Sequence, residues 1–343
     1  MTTASTQPLS FDKQRYLQQV SQLWTPTLQR FNRFITFYTF FNLIFLLIGA
    51  GEIALFISFF ALLSLSTVLG FTLAIFVLTL FSYFVLRLYF QAKKPDYLRG
   101  LCESYLNQCK KILQYKEGIP EHHIALANAA QKFAAILQEK EYSYYAPPFF
   151  LKSLIPTMEK FSCFCHWRDV HKMRELLLLR TAEEHIKVVK CEPTHLEVHA
   201  ALANAYVMLS TLYADPRKSE GYDEERWIPP ERCSKEMEHH FRSTAERAIE
   251  EFKILGAYAP DDPWVHLQLA YSYHDLQMPK EEIQEYEIVL KLRPEDKDTL
   301  FKLGMLYFQQ GKNARGLRVF EMLKRTNYEK AESLIKFYGA YDT

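Results

Sequence analysis

From Phe34 to Leu86 the chain carries a single charge, Glu52, between Arg33 and Arg87. A hydrocarbon core about 30 Å thick is crossed by roughly 20 helical residues. The run is too long for one span and too short for three with turns, so it predicts a hairpin of two. Arg30 and Arg33 precede it, and Arg87, Lys93, Lys94 and Arg99 follow it. Lys and Arg collect on the side that is not translocated. Both flanks, and with them the N- and C-terminal parts, are therefore expected on the cytoplasmic side of a two-span membrane protein. Two turns fit the hairpin. Gly49 to Glu52 puts the carboxylate among headgroups and is preferred. Ser64 to Gly70 leaves Glu52 inside a span, where a carboxylate costs roughly 2.5–3.5 kcal/mol. Glu52 reads first as a loop charge, and as an ion or proton site only in the second arrangement.

The flanking segments are amphipathic. Tyr16, Leu17, Val20, Leu23 and Trp24 recur at helical spacing and predict a short helix before Pro26, lying on the membrane surface or packed on the polar domain. The apolar run starts well inside the chain behind a polar segment, so no cleavable signal is expected. After Pro95, the positions Leu98, Leu101, Tyr105, Cys109 and Ile112 predict a helix over Asp96–Tyr115 that keeps the polar domain close to the bilayer. The expected division is a polar segment over 1–30, a transmembrane hairpin over 31–90 and a helical domain over 95–343.

That domain repeats itself. Its last copy holds Leu300, Leu303, Gly304 and Tyr307, then Gly311, Gly316, Phe320 and Leu323. The copy before it holds His266, Leu269, Ala270 and Tyr273, then Tyr286, Val289, Leu290 and Pro294. Leu269 and Leu303 lie 34 positions apart, as do Pro260 and Pro294. Two further first helices are marked by His199, Leu202, Ala203 and Tyr206, and by His123, Leu126, Ala127 and Ala130. Their second helices are displaced by insertions, and carry Ala248, Phe252 and Leu255 in one case and Thr181, His185 and Val188 in the other. The pattern resembles the tetratricopeptide repeat, over roughly residues 120–328. An all-α fold follows: a transmembrane helical hairpin and then a tetratricopeptide-like α-solenoid with insertions. Small residues at Ala127, Ala203, Ala270, Gly304 and Ala248 let helices approach, and aromatic residues fill between them. Glu282 and Ala130 depart from the pattern and predict looser or rearranged contacts. Tyr328–Tyr338 reads as a capping helix.

The resemblance implies a concave surface lined by side chains of the first helices, here Ile124, Asn128, Ala200, Asn204, Leu267, Tyr271, Phe301 and Met305. Asn128 and Asn204 match slots that clamp a terminal carboxylate in some family members, but Ile124, Ala200, Leu267 and Phe301 stand where cations are wanted. An apolar groove at Trp264, Leu267, Tyr271, Phe301, Met305 and Phe308 is the better expectation, and it suits a peptide or a helix of a protein partner.

Other chemistry finds little support. Lys plus Arg number 41 against 40 for Asp plus Glu, so nothing points to nucleic acid. Six cysteines without regular spacing read as reduced thiols. His195 with His199, and Cys163, Cys165, His166 with His171, are the metal candidates. Both lack a full ligand set and read better as packing residues. No phosphate loop, zinc-protease helix or nucleophile elbow occurs, so no metal, cofactor or catalytic residue is expected. The insertion over 141–165, with Pro147, Pro148 and Pro156, should pack, on the membrane interface or on the fold; the charged one over 214–235 should stay solvated. The function expected is a non-enzymatic, membrane-anchored scaffold or adaptor that binds the bilayer and a protein partner. Two other classes compete. The hairpin is similar to those of inclusion-membrane effectors secreted by intracellular bacteria, and a membrane enzyme could use Glu52 or the Cys163–His171 region.

Overall fold

The computed structural model describes residues 13–58, 66–145, 153–218, 223, 226–326 and 328–339. Among these the fold is all-α. Two long apolar helices come first: α1 (Lys13–Ser58) and α2 (Ser66–Leu113). The helical repeat follows with α3 (Pro120–Ile136), α4 (Ile155–Cys191), α5 (Leu196–Tyr213), α6 (Lys235–Tyr258), α7 (Pro263–Asp275), α8 (Pro279–Leu292), α9 (Lys297–Gln309), α10 (Asn313–Arg325) and α11 (Ala331–Leu334). The chain divides into two compact units, one of residues 1–184 with 223–229, the other of residues 185–222 with 230–343. Helix α4 belongs to the first unit up to Glu184 and to the second from His185.

In the first unit, α1 and α2 are long and apolar enough to cross a membrane. Their middle parts bury almost nothing within the protein. Phe37, Phe40, Leu46, Leu47, Leu55 and Ile57 on α1, and Phe71, Leu73, Leu78, Phe81 and Leu88 on α2, are exposed. A helix apolar on every side is soluble only where its solvent is apolar. The outer parts behave differently. Tyr16, Val20, Phe31 and Ile35 on α1, and Leu98, Leu101, Cys102, Tyr105, Cys109 and Leu113 on α2, are buried. The ring of Tyr105 lies 4.8 Å from that of Phe133 on α3. The Tyr105 hydroxyl accepts from Trp24 Nε1 at 3.2 Å and donates to the Ala129 carbonyl at 3.1 Å.

Two sequence expectations are corrected here. No helix ends at Pro26 or starts after Pro95; both prolines lie inside continuous helices. A proline in a helix interior costs roughly 3 kcal/mol; Pro26 is flanked by the buried Val20 and Phe31, and beside Pro95 the exposed Tyr97 stacks on Phe34 at 3.9 Å and Leu98 is buried. The preferred turn at Gly49–Glu52 is helical as well, since α1 runs on to Ser58. Residues 59–63, and Ser64 and Leu65 of the other candidate turn, lie outside the described residues.

The second unit stacks α5 against α6, α7 against α8 and α9 against α10. Asp262 and Asp296 cap α7 and α9 by accepting from the backbone N–H of Trp264 and Thr299. The last pair depends on two close approaches. A Cβ on Gly304 would meet Val319 Cγ1 at 2.7 Å and Leu334 Cδ2 at 2.9 Å, and one on Gly316 would meet the Phe308 ring at 2.6 Å. The expected capping helix is shorter than the sequence suggested, a single turn at α11 followed by a 3-10 turn over Ile335–Phe337, yet it places Leu334 fully inside. At the departing position Glu282 the contact is rearranged: it is buried and accepts from His274 Nδ1 at 3.0 Å.

Two outcomes follow. Gly316→Ala forces the Phe308 ring aside and lowers stability by about 1–3 kcal/mol, seen as faster amide exchange in α9 and α10 of the full chain. Deleting residues 1–94 strips Tyr16, Val20, Phe31 and Ile35 from the first unit. Limited proteolysis is then expected to cut α3 and the remainder of α2 while α5–α10 stay protected.

Candidate functional site

The first helices carry two kinds of feature, an internal bracket and an outward face. His123, His199 and His266 share one repeat slot, and each meets a glutamate of its own unit. His123 Nδ1 lies 2.5 Å from Glu184, His199 Nδ1 lies 2.6 Å from Glu251, and His266 Nδ1 lies 2.6 Å from Glu285. In the second unit the other ring nitrogen is also engaged: His199 Nε2 lies 2.9 Å from the Pro193 carbonyl, and His266 Nε2 lies 2.9 Å from the Pro260 carbonyl. Both nitrogens of His199 thus face acceptors. Burial opposes its charge, but the Glu251 carboxylate and the Pro193 carbonyl outweigh burial and raise its pKa above the ordinary 6.5. These are packing groups of the repeat, and none of the three histidines is free for a ligand.

The outward face holds the expected groove residues unequally. Trp264 and Tyr271 on α7 are 38% and 40% exposed. Trp264 meets Phe252 edge-on at 6.0 Å, and Tyr271 meets Tyr286 edge-on at 6.5 Å. Lys302 Nζ sits 4.5 Å above the Tyr271 ring. Leu267, Phe301 and Met305 are half-buried edges of the core formed by α7–α11. Asn204 is exposed on α5 of this unit, while Asn128 is half-buried on α3 of the first. Phe308 is not a groove residue. It is fully buried, because the missing side chain at Gly316 draws its ring into the seam between α9 and α10.

The metal candidates resolve into packing. Among the described residues no three His, Cys, Asp or Glu side chains converge. Cys163 is buried with Tyr142 and Trp167, with Trp227 half-buried against them. His166 Nε2 bonds the Tyr145 hydroxyl at 2.9 Å, and burial together with nearby Lys94 lowers its pKa to about 4. Burial pushes the Cys102 and Cys109 thiols up to about 12 and about 11, far from reactive thiolates. Trp227 also corrects the picture of a solvated insertion. Residues 223–229 belong to the first unit, where Arg226 pairs with Glu139 at 3.2 Å and covers the Tyr142 ring at 3.9 Å. Residues 219–222, 224 and 225 of that insertion, and 146–152 of the aromatic one, lie outside the described residues.

Sequence reasoning missed a polar seam between α1 and α2. Thr79 donates to Glu52 Oε1 at 2.7 Å, and Tyr83 donates to Asn42 Oδ1 at 3.1 Å while accepting from Arg87 at 3.2 Å. Lys94 lies 4.2 Å over the Tyr38 ring and pairs with Asp169 of α4 at 2.7 Å. The signal was present: Thr79, Tyr83 and Arg87 are four apart and share one helix face.

No family model matches the chain, and no curated protein matches it. Among solved structures, a monomeric mutant of IFIT1 with Gppp-AAAA matches at 15% identity and a TM-score of 0.34, over 69% of this chain and 58% of that one. A second IFIT1 monomeric mutant, with m7Gppp-AAAA, matches at 14% identity and a TM-score of 0.34, over 71% of this chain and 61% of that one. The chain thus spans less than two thirds of the length of either.

A histidine whose folded pKa is raised stabilises the fold fully below its unfolded value and loses that contribution as pH rises through the folded one. The second unit is therefore expected to melt at lower temperature as pH increases from 6.5, the ordinary histidine value, through the raised pKa of His199. Glu251→Gln should flatten that part of the profile, measured by thermal denaturation against pH.

Proposed function

We propose that this chain is a non-enzymatic, membrane-anchored adaptor that holds a protein partner on the outward face of α7 and α9. The supporting observation is the row of Trp264, Leu267, Tyr271, Phe301 and Met305, a partly open apolar strip on the first helices of consecutive repeats. Aromatic side chains that are already fixed by ring neighbours lose little entropy on binding and suit a contact centre. Lys302 beside Tyr271 adds one cation at the edge of the strip, which favours an apolar peptide or amphipathic helix carrying an acidic residue. Nucleic acid is not part of the proposal, because the charges balance at 41 against 40. The anchor is the α1–α2 hairpin, with both its basic ends on the cytoplasmic side. The same arrangement serves an inclusion-membrane-type effector, which differs in the membrane it enters rather than in its contacts.

The test uses the full chain, because the first unit shares its helices with the anchor. Photo-crosslinking in cells from a probe replacing Met305 should capture a discrete partner, and Tyr271→Ala with Trp264→Ala should lower capture severalfold without shifting the melting temperature by more than a few degrees. Unchanged capture by that double variant removes the strip from the proposal. A turnover activity abolished by Glu52→Gln would replace the adaptor reading with the enzyme one.

A further inference from the structure

Among the described residues, the start of α4 carries exposed apolar surface. Leu154 and Ile155 are exposed, and so are Phe161 and Phe164, the last at 68%. The face of α4 turned away from Phe161 and Phe164 is closely held from Ser162 onward, and Ile155 lies on that side before it, at the N-terminal end of the helix. Ser162 Oγ donates to the Glu141 carbonyl at 2.6 Å and accepts from the Tyr144 N–H at 3.1 Å. The Tyr144 hydroxyl donates to Asn32 Oδ1 of α1 at 3.1 Å, His166 bonds Tyr145, and Asp169 pairs with Lys94 of α2. Asn32 and Lys94 are the places where the buried outer parts of α1 and α2 give way to the exposed apolar parts, which begin near Phe37 and end near Tyr89.

The direction of α4 follows from two pairs. Asp169 meets Lys94, and eleven residues further on Arg180 meets Glu103, nine residues further along α2, at 3.5 Å. The two helices run the same way. The N-terminal end of α4 therefore points towards the apolar half of α2, with Ile155 about 21 Å on that side of Asp169 at the rise of an α-helix.

We propose that the first turns of α4 form a second membrane contact, entering the near leaflet beside the hairpin that crosses the bilayer. Phe161 and Phe164 meet the boundary between headgroups and acyl chains, and Leu154 and Ile155 lie beyond them on the side of the apolar half of α2. The occupant is lipid rather than protein for two reasons. The patch is hydrogen-bonded to the very residues that mark the near end of the spans. Its aromatic neighbours also suit the boundary of a bilayer, where Tyr and Trp are favoured; Tyr145 and Trp227 border it. The segment then limits how far the first unit can tilt on the hairpin.

The proposal rests on the hairpin spanning the bilayer, and the experiment separates the two. The full chain is reconstituted in phosphatidylcholine vesicles containing phosphatidylglycerol, with p-benzoylphenylalanine replacing, one at a time, Ile155, Phe164, Phe71 of the hairpin and Tyr258 of the second unit. Lipid adducts are measured by mass spectrometry after illumination. The expected result is adducts from Phe71, Ile155 and Phe164 in comparable yield and few from Tyr258. Adducts from Phe71 without any from Ile155 and Phe164 overturn the proposal and leave the hairpin in place. Cross-links from Ile155 and Phe164 to a second copy of the chain also overturn it, by making the patch a self-association surface. Absence of lipid adducts at Phe71 as well removes the spanning hairpin and the proposal together.

Discussion

The constraint on which the rest depends is that the middle parts of α1 and α2, long and apolar enough to cross a membrane, bury almost nothing within the protein, which suits lipid, a solvent that offers no hydrogen bonds to a backbone. A segment inside it must be helical, and a helix once formed has no reason to stop at the interface unless something breaks it. Here nothing does. Helix α1 has 46 residues and α2 has 48, each about 70 Å long at 1.5 Å per residue against a hydrocarbon core of about 30 Å. The surplus is not idle. It forms two walls of the first unit, with Val20, Phe31, Leu98 and Tyr105 buried. The apolar hairpin and the wall of the first unit are thus built from the same two helices.

The polar seam follows from the same constraint. A polar group on an otherwise apolar helix is costly alone and tolerable when paired; Glu52, Asn42 and Tyr38 all face α2, where Thr79, Tyr83 and Lys94 meet them. Apolar helices in lipid have little to fix their register. Contacts at three heights along the seam do fix it, because sliding by one turn would break them together. The Lys94–Asp169 pair carries the registration out of the hairpin and onto α4. Burial pushes the Asp169 carboxyl up and Lys94, with Arg168 beside it, pulls it back, so removing Lys94 would take away its partner at 2.7 Å.

How much of this was legible depends on the range of the interactions that decide it. The hairpin was legible because hydropathy is local, and the repeat because Leu269 and Leu303 recur in register. The equivalence of His123, His199 and His266 was legible too, but not their partners, since Glu184, Glu251 and Glu285 lie at unequal distances in the sequence. Pro26, Pro95 and Gly49 misled for one reason: each is a local breaker overruled by packing or lipid, which the sequence around it does not display. Phe308 misled differently. It sits one position after Tyr307 on a helix whose outward face includes Phe301 and Met305, and only the absent side chain of Gly316 on the next helix turns its ring inward. Trp227 could not be placed at all from a window rich in charge, because its partners Tyr142 and Cys163 are far away in sequence.

The second unit uses two devices to hold its pairs together, and their distribution has a consequence. The α5–α6 and α7–α8 pairs are bracketed by His199 with Glu251 and by His266 with Glu285. In the α9–α10 pair the same slot is Leu300, half-buried in the core of α7–α11, and the close approach of Gly304 and Gly316 with Leu334 plugged beside them takes over. A bracket ties a first helix to the second helix of its own pair through charge and tolerates some separation of backbones. A glycine seam tolerates almost none, because its contacts are already at van der Waals distance. The strip at Trp264, Tyr271, Phe301 and Met305 crosses from the bracketed pair to the seamed one. Its α9 half is therefore fixed by packing, whereas its α7 half responds to whatever alters the brackets.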